Sequence, residues 1–86
     1  MRDSKKTSHR FNEYKEISGK TFKELASLLG YEDLQYMYKF SSGERAISKN
    51  AAEKLHNLSG WRTEYFLGLD DYRTDEDYYK RYLIVH

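Results

Sequence analysis

The chain has no cysteine, no proline, a single valine and no apolar run approaching 18 residues. Each shortage removes a class of protein. Without cysteine there is no disulfide framework and no thiolate metal site, so a reducing interior is the expected compartment. Without a long apolar stretch or a signal-peptide pattern, the chain is expected neither to span a membrane nor to be secreted by that route. A cytoplasmic location is the expectation. The lack of alternating β-branched runs argues against strands. An excess of one charge is missing too: 15 Lys and Arg stand against 14 Asp and Glu, a formal net charge of +1. Bulk charge therefore does not announce a nucleic-acid binder.

What is present is helical punctuation. Eighty-six residues fit one domain, with a core over about 9–71 and a C-terminal tail over 72–86. The five glycines, at 19, 30, 43, 60 and 68, each close a segment that reads as a short helix. The segments run over about 6–18, 21–29, 34–42, 48–59 and 62–67. Start signals agree with them. Thr21 and Glu24 form a capping-box pattern, and Ser48 precedes a run of good helix formers. Thr74 and Asp77 repeat the capping pattern, so a short sixth helix is expected over 75–85. Apolar spacing points Phe11, Tyr14, Ile17, Phe22, Leu25, Ala26, Leu28, Leu29, Ala51, Ala52, Leu55 and Leu58 to one core, closed by Trp61, Phe66, Leu67 and Leu69. The fold class is all-α, a five-helix bundle with a short C-terminal helix.

The stretch GYEDLQYMYKFSSGER, residues 30–45, crowds three tyrosines, a methionine and a phenylalanine into ten positions. At about 100° per residue, Leu34, Met37 and Phe40 share the inward side of a helix. Gln35, Lys39 and Ser42 share the outward side, with Tyr36 and Tyr38 on its two flanks. A glycine-bearing turn joins this helix to the one before it, which is the helix-turn-helix arrangement whose second helix enters the DNA major groove. The residue types suit that role. Gln pairs with adenine N6 and N7, Lys donates to guanine O6 and N7, and Ser serves either base. A tyrosine hydroxyl can donate to phosphate while its ring packs on a thymine methyl or a sugar. The start of helix 21–29, with Thr21 and Lys23, offers amides and a cation to the backbone. Lys20, Lys23, Arg45 and Lys49 are placed to rim such a face.

The charge distribution is consistent with this. Residues 1–45 hold nine Lys and Arg against seven Asp and Glu, whereas 46–86 hold six against seven. The segment from Asp70 to Asp77 carries five acids and one base, so a polyanion should meet the first half of the chain.

TFKELASLLGY, followed by SSGERAISKNAAEKLHNLSGWRTEYFLGLDD, resembles the lambda-repressor-like, Cro-type helix-turn-helix family over about residues 9–71. The elements that carry the resemblance are Leu25-Ala26, Leu29-Gly30, Ser42-Gly43-Glu44-Arg45 and Phe66-Leu67-Gly68, in that order and spacing. It implies a transcriptional regulator of the phage-repressor type that binds double-stranded DNA as a homodimer without a cofactor. The DNA-facing residues would be Thr21, Lys23, Gln35, Tyr36, Tyr38, Lys39, Ser42 and Arg45. The sequence departs from the family at Phe22, where glutamine is common, and at Glu44, where lysine is common. Glu32 and Asp33 also set two acids beside the expected DNA side.

A second class of function remains open. The same bundle can serve as a protein-interaction module, of an antitoxin-like or phage-inhibitor kind, that uses the Tyr36 and Tyr38 face. Other classes find little footing. His9, His56 and His86 lack ligand spacing, and the acids of 70–77 lack an EF-hand pattern, so no metal is expected. Those acids are expected instead to serve helix N-terminal charge and solvation. No nucleophile elbow, phosphate loop or catalytic triad pattern occurs, and neither an enzyme activity nor a small-molecule ligand is expected. The apolar tail residues Tyr78, Tyr79, Tyr82, Leu83, Ile84 and Val85 are expected to pack back on the bundle or to form a dimer contact.

Overall fold

Six helices follow one another along the chain, with no strand among the described residues. The computed structural model describes residues 3–85, with side chains through Arg81. The helices are α1 (Ser4–Ser18), α2 (Phe22–Leu29), α3 (Gln35–Ser42), α4 (Lys49–Ser59), α5 (Thr63–Phe66) and α6 (Asp75–Val85). The protein is all-α, a small helical bundle as its glycine spacing and capping residues suggest.

Local chemistry sets the helix ends. The Asp3 carboxylate accepts from the amides of Lys5 and Lys6 to start α1. Thr21 and Glu24 make the reciprocal capping box at the start of α2, with bonds of 3.1 and 3.0 Å. Ser48 caps α4 through the Ala51 amide, and Thr74 caps α6 through the Asp77 amide. Gly30 and Gly43 bracket α3 with φ of 81° and 83°. That left-handed backbone strains any residue with a Cβ, which is why glycine ends these helices.

The apolar faces meet in one core of Phe11, Leu25, Leu29, Met37, Phe40, Ile47, Ala51, Ala52, Leu55 and Phe66, each essentially sealed from solvent. Phe11 stands at its centre, stacked on Phe22 at 6.5 Å and edge-on to Phe40 at 5.9 Å. Burial of side chains this large contributes about 1.5–3 kcal/mol each. Polar bonds then fix how α3 lies on α1. The Asn12 amide donates to the Ser41 carbonyl and accepts from the Ser41 hydroxyl, and the Ser8 hydroxyl donates to the same carbonyl. Met37 and Phe40 hold α3 in depth, while Ser8 and Asn12 fix its rotation.

The other end of the bundle is organised by arginines. Arg10 is 5% exposed. It donates to the carbonyls of Tyr65 and Asp70 and to the Asp71 carboxylate, each at 2.6 Å, and lies over the Tyr65 ring at 4.0 Å. Arg62 holds both oxygens of Asp70 and lies over the Tyr78 ring of α6 at 4.1 Å. Tyr78 packs edge-on to Tyr72, and the Arg81 guanidinium lies 4.0 Å from its centroid. The molecule measures 47 × 25 × 20 Å.

Several positions differ from the sequence expectation, for geometric reasons. Ile17 is 64% exposed. A three-residue spacing slips backward by about 60° per step, so Ile17 has turned about 120° from Phe11 and out of the buried arc. Leu28 lies well off the arc centred between Leu25 and Ala26, Leu58 falls at the edge of the α4 arc, and both are exposed. Leu34 is not a core residue but the residue before α3, 37% exposed. Leu69 is also exposed, lying beyond α5. Asp70 and Asp71 bind arginines rather than serving a helix start. Tyr78 does pack back, whereas Tyr79 is exposed. The side chains of Tyr82, Leu83, Ile84, Val85 and His86 lie outside the described residues.

Candidate nucleic-acid interface

The outward side of α3 carries the expected stripe. Met37 and Phe40 are buried, which turns Gln35, Lys39 and Ser42 away from the core. The Gln35 amide group and the Lys39 ammonium make no hydrogen bond or ion pair among the described residues. Ser42 differs from them: its hydroxyl donates to the Lys39 carbonyl and accepts from the Glu44 amide. It shapes the end of α3, and only its remaining lone pair is left for a base. Asp33 supplies the start of the helix by accepting from the Gln35 backbone amide at 2.9 Å. One of the two acids near this face therefore has a structural task.

The flanking tyrosines have different surroundings. Tyr38 is 49% exposed and rests edge-on against Phe22 at 4.9 Å, beside the start of α2. Phe22 thus gives this face an apolar shelf, and Lys15 sets its ammonium 4.7 Å from the ring. Tyr36 is half-buried, stacked on Tyr31 and overlain by Arg45. The Phe22 and Tyr31 contacts join both flanks of α3 to the elements on either side of it, making a continuous face.

At the start of α2, Lys23 is exposed and makes no ion pair among the described residues. The capping box engages the amides of Thr21 and Glu24. The amides of Phe22 and Lys23 have no helical carbonyl before them and remain for an anion. The Glu24 carboxylate occupies the same helix end. The backbone amide of Thr21, followed by its hydroxyl, holds that carboxyl below the usual carboxylate range. It is thus charged across the neutral range, and a phosphate bound at this end must sit to one side of it.

The structure brings Thr21, Lys23, Tyr38 and the Gln35 and Lys39 stripe into one surface, with Arg45 at its far edge beside Tyr36. Arg45 and Lys49 are exposed, and Lys20 is partly so. Lys54 is spent elsewhere, donating to the Leu29 carbonyl at 3.0 Å where α2 ends. The sequence reading missed the Ser8–Asn12–Ser41 clamp and the buried Arg10. Neither has a local signal, because their partners lie 29 to 61 residues away. No group of three or more His, Cys, Asp or Glu able to hold a metal ion occurs among the described residues. No helix among the described residues is long and apolar enough to cross a membrane. No family model matches the chain, and neither does any curated protein or solved structure.

Proposed function

We propose that the protein is a sequence-reading DNA-binding regulator of the lambda-repressor-like type, with α3 lying in the major groove. One observation carries the reading. Gln35 and Lys39 project from a helix whose other side is locked into the core and clamped by Asn12, and neither side chain is used by the protein. Such groups are held in place by the fold yet free to pair with base edges. The order of the helices, with a short α5 after α4, agrees with what the resemblance to that family implies, and the same resemblance implies binding as a homodimer to a palindromic site. No cofactor enters this reading, and occupancy of promoter DNA would be the means of regulation.

Selection from random double-stranded DNA tests it, repeated at several salt concentrations. Enrichment of a short palindrome, with affinity falling linearly as log salt rises, is the expected result. No enrichment and no salt dependence would refute it. The Tyr38–Phe22 shelf favours a second reading, capture of a protein partner by the aromatic face of Tyr36 and Tyr38. That reading predicts tight partner binding that Tyr38→Ala abolishes and added salt barely weakens.

A further inference from the structure

The two tyrosines that flank α3 are not equivalent. Tyr38 has an open ring, whereas Tyr36 belongs to a layered arrangement that begins in the core. Phe40 meets Tyr31 edge-on at 5.8 Å, and the Tyr31 hydroxyl bonds to Ser48 Oγ at 3.2 Å. That oxygen also caps α4, so Tyr31 is fixed at both its ring and its hydroxyl. Tyr31 then stacks on Tyr36, with centroids 4.8 Å apart and an interplanar angle of 29°. The Arg45 guanidinium lies over the Tyr36 ring at 5.1 Å, and the Arg45 amide donates to the Lys39 carbonyl. Arg45 makes no ion pair among the described residues. Its charge is carried on an aromatic support instead of a carboxylate.

We propose that Tyr36 is a positioning residue: its ring, held by Tyr31, presents Arg45 to a phosphate at the edge of the groove that α3 occupies. The proposal rests on the DNA reading above. Guanidinium planes stack well on aromatic rings while their N–H groups stay free, so the support leaves the donors available. A free arginine must be ordered on binding; one already held avoids part of that loss, roughly threefold to tenfold in affinity. The Tyr36 hydroxyl has no part in this, since the ring face carries the guanidinium.

The test compares Tyr36→Phe, Tyr36→Leu, Arg45→Ala and the Tyr36→Leu, Arg45→Ala double variant on DNA selected by the wild type. Melting temperatures verify that each is folded. Arg45→Ala is expected to weaken binding about tenfold, as for a lost charge-assisted hydrogen bond. Tyr36→Leu should lose roughly threefold to tenfold, Tyr36→Phe clearly less than Tyr36→Leu because the ring that carries Arg45 is kept, and the double variant no more than Arg45→Ala alone. In the free protein, the Arg45 side-chain protons should be shifted upfield by the ring current in the wild type and in Tyr36→Phe, and unshifted in Tyr36→Leu. Additive losses, or a Phe variant as weak as the Leu variant, would overturn the positioning role while leaving DNA reading intact. A wild type that selects no DNA removes the DNA reading and the phosphate contact together, even if the ring-current shifts appear as expected.

Discussion

Arg10, Arg62 and Arg73, at the α1–α5 end of the molecule, are each bound to acids or carbonyls of the protein itself. On the α2–α3 face, Gln35, Lys39 and Lys23 reach solvent with no partner among the described residues. Both regions are rich in aromatic and charged side chains, so composition does not tell them apart. Their hydrogen bonds do. Arg10 is engaged by two carbonyls, Asp71 and the Tyr65 ring, and is 5% exposed, so it is fastened inside the fold. Its work is to tie α1 to α5 and to the turn that follows α5. The α2–α3 face is held by what lies beneath it, and its outer groups remain uncommitted. The partners of a charge in this small domain decide whether it fastens the fold or stays open to a ligand.

Substitutions at the two regions should accordingly fail in different ways. The largest effect is expected beneath the α2–α3 face, at Met37, which is 0% exposed. Met37→Lys places an unpaired charge where there is no water, a cost of several kcal/mol in a domain whose whole stability is about 5–15 kcal/mol. Circular dichroism should show no cooperative melt. A normal melting temperature would mean that α3 is rotated from the orientation described.

Arg10→Ala comes next. It deprives two carbonyls and Asp71 of their charged donor and is expected to cost about 3 kcal/mol. Urea denaturation should report the loss, while DNA affinity of the folded fraction stays unchanged. A fall in DNA affinity without a fall in stability would break the division between the two regions. Removal of residues 75–86 should cost less, about 1–2 kcal/mol, through the lost contacts of Tyr78 with Arg62 and Tyr72. Light scattering on the truncated protein supplies a second readout: a normal melt with a dimer turned into a monomer would make α6 an interface instead.

The smallest effect is confined to alkaline solution. Burial first, and then the hydrogen bond to Glu13, push the Tyr65 phenol up from 10.0 to about 12. The folded state favours the neutral phenol. This stabilisation is therefore complete below pH 10 and is lost as pH rises from 10 towards 12. Melting of the wild type should fall more steeply over that window than melting of Tyr65→Phe. Parallel curves would show that the phenol ionises alike in the folded and unfolded chains. The acid limb has the opposite sign. Lys6 and Arg10 hold the Asp71 carboxyl below its usual range, so its contribution is complete above that range and fades as pH falls from it through the depressed value. Asp71→Asn should flatten the fall in stability at low pH.

Much of the bundle was legible because helix ends are local chemistry. Thr21 with Glu24, Ser48 and the glycines that end α1 to α4 act within a few residues, and the chain displays them in order. The stripe on α3 was legible for a similar reason, since 100° per residue separates Gln35 and Lys39 from Met37 and Phe40. What could not be read depends on contacts made across the fold. Ile47 is wholly buried, yet it lies between helices and has no periodic neighbours to reveal it. Arg10 looks like any helix-surface cation until α5 closes over it. Tyr36 and Tyr38 are two residues apart and alike in composition, but Tyr31 covers one and Phe22 props the other. Leu34 fitted the inward direction of an extended α3, and the helix begins one residue later.

On the proposed function, the outward stripe of α3 reads bases. The most direct test is the affinity of a Gln35→Ala, Lys39→Ala double variant for DNA selected by the wild type, measured beside its melting temperature. The melting temperature should change little, because Gln35 is exposed and the half-buried Lys39 makes no side-chain hydrogen bond or ion pair among the described residues. Affinity for the selected site should fall by about 1–3 kcal/mol for each residue that pairs with a base edge. On unrelated DNA, only the lysine charge should matter, lowering the salt slope by roughly one. A folded double variant that binds the selected site as tightly as the wild type would contradict the account.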